Sequence, residues 1–244
     1  MLINKVLTVI VALLPIVLLG GCIVTGVGAT TGNGRMVDGV FSHDGSITRI
    51  AITDMAATIN ISPENSREVR YTIDENLKDL LEISYQNGAL QIAARNNRSI
   101  NSNGIRFYIG SNALEEIVVD GAASIQGSGP FNAEMFALKI NGAGEAELAL
   151  NVQNVLLEIN GAADITLSGA TENLHVRLSG AADISARNLI AQHATVVVEG
   201  VGSVEVYAQQ TLDASVDGVG TITYWGDPEL TSSAAGMSSV RRGS

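Results

Sequence analysis

The sequence predicts an all-β chain: a parallel β-helix with coils of about 18–21 residues, preceded by a strand-rich N-terminal region with a hairpin. Three observations predict it: a recurring six-residue phrase, period-two apolar alternation on both sides of that phrase, and an orderly failure of the pattern in its last copy. The phrase reads Asp120-Gly-Ala-Ala-Ser-Ile125, Asn141-Gly-Ala-Gly-Glu-Ala146, Asn160-Gly-Ala-Ala-Asp-Ile165, Ser179-Gly-Ala-Ala-Asp-Ile184, Glu199-Gly-Val-Gly-Ser-Val204 and Asp217-Gly-Val-Gly-Thr-Ile222, with a weaker copy at Ala235-Gly-Met-Ser-Ser-Val240. Its glycines are Gly121, Gly142, Gly161, Gly180, Gly200, Gly218 and Gly236, so the chain returns to the same point every 18 to 21 residues.

Taken in chain order, residues 1–21 read as a lipoprotein signal peptide. Lys5 supplies a short positive n-region, and Val6 to Leu19 is an apolar run too short for a membrane span. The run ends in Leu19-Gly20-Gly21-Cys22, which resembles a lipobox, so Cys22 is the expected lipidation site and the mature N-terminus. It is the only cysteine, which excludes an internal disulfide. An anchor carrying more than one acyl chain holds stably where a single chain is marginal. Ile23 stands where Asp resembles an inner-membrane retention signal, which favours the outer membrane. Residues 22–36, rich in Gly and Thr, read as a flexible tether. Gly26-Val-Gly28 lacks the Lys-Ser/Thr and the βαβ context of a nucleotide loop.

Residues 37–115 form the expected N-terminal β region. Short strands are predicted at 47–52, 58–61 and 69–73. Leu81 to Tyr85 and Leu90 to Ala94 flank Gln86-Asn-Gly-Ala89, a hairpin signal because Asn-Gly suits a primed turn. Asp54-Met-Ala-Ala-Thr-Ile59 echoes the repeat phrase with Met55 in place of glycine, a degenerate first coil. Arg95 to Gly104 is polar and reads as an exposed loop with a candidate binding role.

Residues 116–244 carry the repeats and a C-terminal cap. Two residues before successive glycines stand Val119, Ile140, Ile159, Leu178, Val198 and Val216; four after them stand Ile125, Ala146, Ile165, Ile184, Val204 and Ile222. The rows four and six before are as apolar, so like side chains stack in interior ladders. The glycine and its small followers make the corner between strands. At about 4.8 Å per coil, seven coils rise about 30 Å. In the last copy Ser232, Ala234 and Arg242 replace the apolar rows, as terminal solenoid repeats do. Trp225 closes that end or contacts a ligand.

Outward positions carry the candidate site. Asn141 over Asn160 predicts an amide ladder. Glu145, Asp164 and Asp183, each three residues after a glycine, predict a vertical file of carboxylates that forms either a ligand or cation face or a solvated acidic surface. His43, His175 and His193 lack metal-ligand spacing and read as surface residues, and Gly-x-Ser-x-Gly is absent. The net charge is −11, and −12 once Lys5 leaves with the signal, which argues against nucleic acid. Aromatics are 4 % of the chain, too few for many stacking platforms. No motif calls for a cofactor.

The lipobox, the Gly-rich tether, the Asn87-Gly-x-Leu-x-Ile92 turn, the Leu114-Glu-Glu-Ile117 entry, the x-Gly-small-small-polar-Ile phrases and Gly226-Asp-Pro228 resemble the bacterial head GIN domain family, described as auto-transporter adhesins. The resemblance covers about residues 38–240. It implies a right-handed parallel β-helix at the cell envelope and no established activity. Family phrases carry Gly-Ser-Gly where this chain has Gly-Ala-Ala, Gly-Ala-Gly and Gly-Val-Gly, which keeps the corner small but removes hydroxyls.

The expected function is that of a non-enzymatic, lipid-anchored envelope protein. It presents stacked faces to a polysaccharide or an envelope protein, in the manner of an adhesin. The alternatives are a carbohydrate-active β-helix enzyme, a lyase or hydrolase with Asp164 and Asp183 as its carboxylate pair, and a structural or signalling envelope protein.

Overall fold

The computed structural model describes residues 29–102 and 104–244. The expected signal peptide, Cys22 and residues 23–28 of the expected tether lie outside the described residues. In chain order the strands are β1 (Thr30–Thr31), β2 (Met36–Ser42), β3 (Arg49–Ser62), β4 (Glu68–Asp74), β5 (Leu81–Gln86), β6 (Ala89–Ala94), β7 (Ile100–Asn101), β8 (Arg106–Gly110), β9 (Glu116–Ile140), β10 (Ala143–Ile159), β11 (Ala162–Leu178), β12 (Ala181–Val198), β13 (Val201–Val216), β14 (Val219–Trp225), β15 (Glu229–Ala234) and β16 (Ser239–Arg242). Two short 3₁₀ turns, Glu75–Leu80 and Arg95–Asn97, interrupt them.

Strands β9 to β14 stack in parallel, one coil on the next, with the repeat phrases in register. Apolar residues alternate along each strand because one side of the sheet faces the interior of the coil. The predicted ladders fill that interior: Val119, Ile140, Ile159, Leu178, Val198 and Val216 are all buried, as are Ile125, Ala146, Ile165, Ile184, Val204 and Ile222. The core is one contiguous cluster from Ile47 to Ile222.

Five repeat glycines at the corners are required by a close approach of backbones. Gly142, Gly161, Gly180, Gly200 and Gly218 do not adopt positive φ. A Cβ at any of them would collide with the carbonyl oxygen of the glycine one coil earlier. The missing side chain lets two backbones approach, and the approach is hydrogen-bonded: Ala162, Ala181 and Val201 each donate their N–H, at 2.9 Å, to the glycine carbonyls of Gly142, Gly161 and Gly180.

The N-terminal region is part of the same solenoid, so the expected boundary at 115/116 does not separate two cores. Strand β3 pairs with β9 in parallel, with Ala56, Ala57, Thr58 and Ile59 opposite Ala122, Ala123, Ser124 and Ile125. The degenerate phrase is thus a coil with one extra residue at its corner: the register shifts between Thr53 and Ala56, and Asp54 takes φ 56°. The other edge of β3 pairs with β6 and β8, so a later stretch of chain lies beneath an earlier one. Antiparallel β4, β2 and β5 finish this end. The strands predicted at 47–52 and 58–61 are one continuous strand, because β3 bends around the corner without breaking its ladder. The hairpin turn is as expected, with Asn87 at φ 51° and Gly88 at φ 84°.

Two expected loops are tied down. Within the tether, Thr30 and Thr31 pair with Ile100 and Asn101. Gly34 donates its N–H to Asp74 at 2.6 Å, and Arg35 pairs with Glu75 at 2.7 Å. Residues 30–35, expected to belong to the tether, are therefore bonded to the fold. The 95–104 segment is the surface on which the entering chain docks, with Ile100 buried and Ser102 bonded to Asp74 at 2.5 Å.

At the C-terminal end Leu230 is 38 % exposed, whereas Leu212, one coil earlier in the same row, is 1 % exposed. Trp225 helps close this end: the Arg187 guanidinium lies 4.4 Å from its ring centroid, and a side chain at Gly243 would strike the ring. An indole covered in this way does not offer a stacking platform.

Candidate functional surface

Each coil has a fixed edge at the repeat glycine and outer faces on either side of it. The face after the glycine carries the expected acidic file. Ser124, Glu145, Asp164, Asp183, Ser203 and Thr221 are successive register partners from β9 to β14. The three carboxylates are exposed. Beside them the row Ala122, Ala143, Ala162, Ala181 floors a shallow groove of about 630 Å³ that ends at Arg106.

The structure brings Glu145, Asp164 and Asp183 onto adjacent strands, about 4.8 Å apart along the stack. They do not converge. Asp183 also accepts hydrogen bonds from the Ser203 N–H at 3.2 Å and from its hydroxyl at 2.5 Å. A hard cation needs several oxygens around one point. Among the described residues no group of three His, Cys, Asp or Glu is placed to share an ion.

The face before the glycine carries cross-coil ion pairs. Arg49 pairs with Glu116 at 3.0 Å, and Lys139 bridges Glu116 and Glu158 at 3.3 and 3.6 Å. Arg177 pairs with Glu199 at 2.7 Å. The expected amide ladder runs beside these pairs. Asn160 donates to Asn141 at 3.0 Å, and Asn141 donates to Asp120 at 2.5 Å.

Of the three histidines, His175 is exposed and His193 half-buried; His43 departs from expectation. It packs 4.8 Å from Tyr85, with Nδ1 2.8 Å from the Gly45 carbonyl and a buried Nε2 that has no partner. Nothing in the sequence singles out Asp74. It is 3 % exposed, and its carboxylate clamps Gly34 and Ser102, joining the entering chain to the 100–104 segment. Another groove, of about 870 Å³, lies on the edge of the coils away from the repeat glycines.

The family model described as "Putative auto-transporter adhesin, head GIN domain" matches residues 48–228. The chain belongs to the head GIN family. Solved structures share the head GIN fold at low identity. One described as an adhesin from Bacteroides fragilis NCTC 9343 is 18 % identical with a TM-score of 0.79, covering 88 % of this chain and 100 % of its own. One from Parabacteroides distasonis ATCC 8503, described as a lipid binding protein, is 22 % identical with a TM-score of 0.70 over the same shares. A third, described as an adhesin from Parabacteroides merdae ATCC 43184, is 17 % identical with a TM-score of 0.66, covering 89 % of this chain and 100 % of its own. No curated protein matches the chain. Among the described residues no helix is long and apolar enough to cross a membrane.

Proposed function

We propose that this head GIN protein is a non-enzymatic binding module of the bacterial cell envelope. It is lipid-anchored through Cys22, held at the outer membrane, and presents its stacked faces to a polysaccharide or protein partner. The observation that carries this reading is the run of in-register rows across the coils. A rigid surface that repeats at a fixed step is suited to contacting an extended partner at many points, where each contact is weak and their number gives affinity. The adhesin descriptions of the family and its relatives point the same way. Catalysis asks for an acid or base positioned against a reacting group; Asp164 and Asp183 stand on an open face and repeat as part of a row.

The test is an array of bacterial and host polysaccharides and envelope proteins, probed with the full chain in detergent and scored for retention and for cleavage. Retention without cleavage is the expected result. Cleavage that disappears in Asp164→Asn or Asp183→Asn makes the protein an enzyme. An array that retains nothing overturns the binding reading.

A further inference from the structure

The far edge of the coils differs in chemistry from the rest of the molecule. Between the face that follows one glycine and the strand that leads to the next, the chain passes through Asn151 to Asn154, Gly169 to Asn173, Leu189 to His193 and Tyr207 to Thr211. Register places these stretches over one another. The surface they make is dense in amides, chiefly Asn151, Gln153, Asn173, Gln192, Gln209 and Gln210, and Glu172 is the one charged residue in these four stretches. In a chain of net charge −11, a strip across four coils with one carboxylate stands apart, flanked by Glu134 on the preceding coil.

Four of these amides, Asn173, Gln192, Gln209 and Gln210, are held in place. Gln192 donates to Gln209 at 2.6 Å and accepts from Gln210 at 3.0 Å. Asn173 donates to Asn154 at 2.9 Å, and His193 bonds Thr211 at 2.8 Å. Each amide has two donor hydrogens and two acceptor lone pairs, so one bond up or down the ladder leaves further groups facing outward. Ordering long side chains before a ligand arrives lowers the entropic cost of binding. Between the amides the groove offers Ala133, Ala170 and Ile190, the last 42 % exposed.

A second observation comes from the repeats themselves. The glycine corner has the same backbone contact in coil after coil, whereas every register shift between neighbouring repeat coils falls beyond the face that follows the glycine. The shifts lie between Glu147 and Ala149, Thr166 and Ser168, Ala186 and Ile190, and Ala191 and His193. From β9 to β13 length changes fall between the forward face and the amide edge or within that edge; the extra residue of the β3 coil is the one at a corner. Binding residues are commonly carried on the variable part of a rigid scaffold.

The geometry points to this edge as a binding site for a neutral polysaccharide. Hydroxyls, like amides, both donate and accept, so an uncharged amide surface matches a sugar chain without asking either side to desolvate a charge. The small and aliphatic residues of the groove suit the C–H faces of a pyranose. The coil step of about 4.8 Å is close to the advance of one sugar unit in an extended chain, so successive coils can meet successive units. This inference rests on the binding-module reading and names its ligand class and place.

The test is affinity electrophoresis of the full chain in detergent, through gels containing galactomannan, mixed-linkage β-glucan, yeast mannan or dextran, with polygalacturonate and hyaluronan as acidic polymers. At least one neutral polymer is expected to retard the protein, and the retardation to persist from about 50 to about 500 mM salt, where exposed charge interactions are screened. The double variant Gln153→Ala, Gln192→Ala is expected to weaken it about tenfold or more through the hydrogen bonds lost to the polymer. Glu82→Gln, exposed on β5 and outside both grooves, is expected to leave it unchanged. Circular dichroism and melting of each variant check that the fold is intact. The inference is overturned if no neutral polymer retards the wild type, if only the acidic polymers do, or if the amide variant binds as the wild type does. Partner binding on the array that survives the amide substitutions removes this site and leaves the binding-module reading standing. An array that retains nothing removes both.

Discussion

The two edges of each coil obey different rules. At the glycine edge, backbone meets backbone: Gly142, Gly161 and Gly180 sit under one another, and each carbonyl accepts from the coil above. At the far edge the backbone ladder continues, with close approaches at Gly169 and Gly226, but amide side chains also bond one another from coil to coil, and extra residues shift the register between Ala186 and Ile190. Backbone contact leaves no room for variation, since even one methyl group has nowhere to go. Side-chain contact at an exposed edge leaves both sequence and length free. A solenoid built this way keeps its architecture on one edge and can vary its recognition chemistry on the other.

The largest effect that would break this comparison is Gly161→Val. The added side chain must push two coils apart, and destabilisation of about 4 kcal/mol or more, or failure to fold, is expected. An extra glycine between Ser128 and Gly129, on the far part of a coil, is expected to cost less than about 1 kcal/mol. Urea unfolding of both proteins decides it; equal costs would mean the two edges are not different in kind.

The interior offers the next contrast. Leu157 is 0 % exposed, and its change to alanine should cost about 2–5 kcal/mol. Leu230 is 38 % exposed, and the same change there should cost less than about 1 kcal/mol. A large loss at Leu230, read from thermal melting, would show that something covers the C-terminal end.

Asp74→Ala removes the clamp between Gly34 and Ser102, at an expected cost of about 1–3 kcal/mol. Hydrogen exchange should speed up first at the Gly34 and Thr30 amides; protection that stays unchanged there would assign the docking to β1 and β7 alone. The smallest effect is expected at the exposed amide ladder of the glycine edge, where Asn160→Ala should cost about 0.5 kcal/mol or less in denaturant unfolding. A loss above about 2 kcal/mol would make that ladder a structural requirement.

Much of this was legible in the residues, for a simple reason: a repeat exposes its environment many times over. The rows two before and four after each glycine emptied themselves of polar residues in six copies, and all twelve positions are buried. The failing row at Leu230, Ser232 and Ala234 likewise announced the open end. The far edge was less legible because length changes fall between the forward face and that edge, so counting forward from a glycine scatters its residues. Counting back eight from the next glycine aligns Glu134, Gln153, Glu172, Gln192 and Gln210, a row of only Glu and Gln. Asp74 left no periodic trace, since it acts once, across 40 residues to Gly34 and 28 to Ser102.

By itself the sequence determined the coil, its corner and its interior, because period and alternation are local properties that every copy restates. Only the tertiary structure decided that β8 slides beneath β3, that the entering chain is pinned at Thr30 and Gly34, and that glycine serves by close approach and not by an unusual φ. Those features depend on which strands become neighbours, and neighbours distant in the chain are chosen by the packing of the whole core.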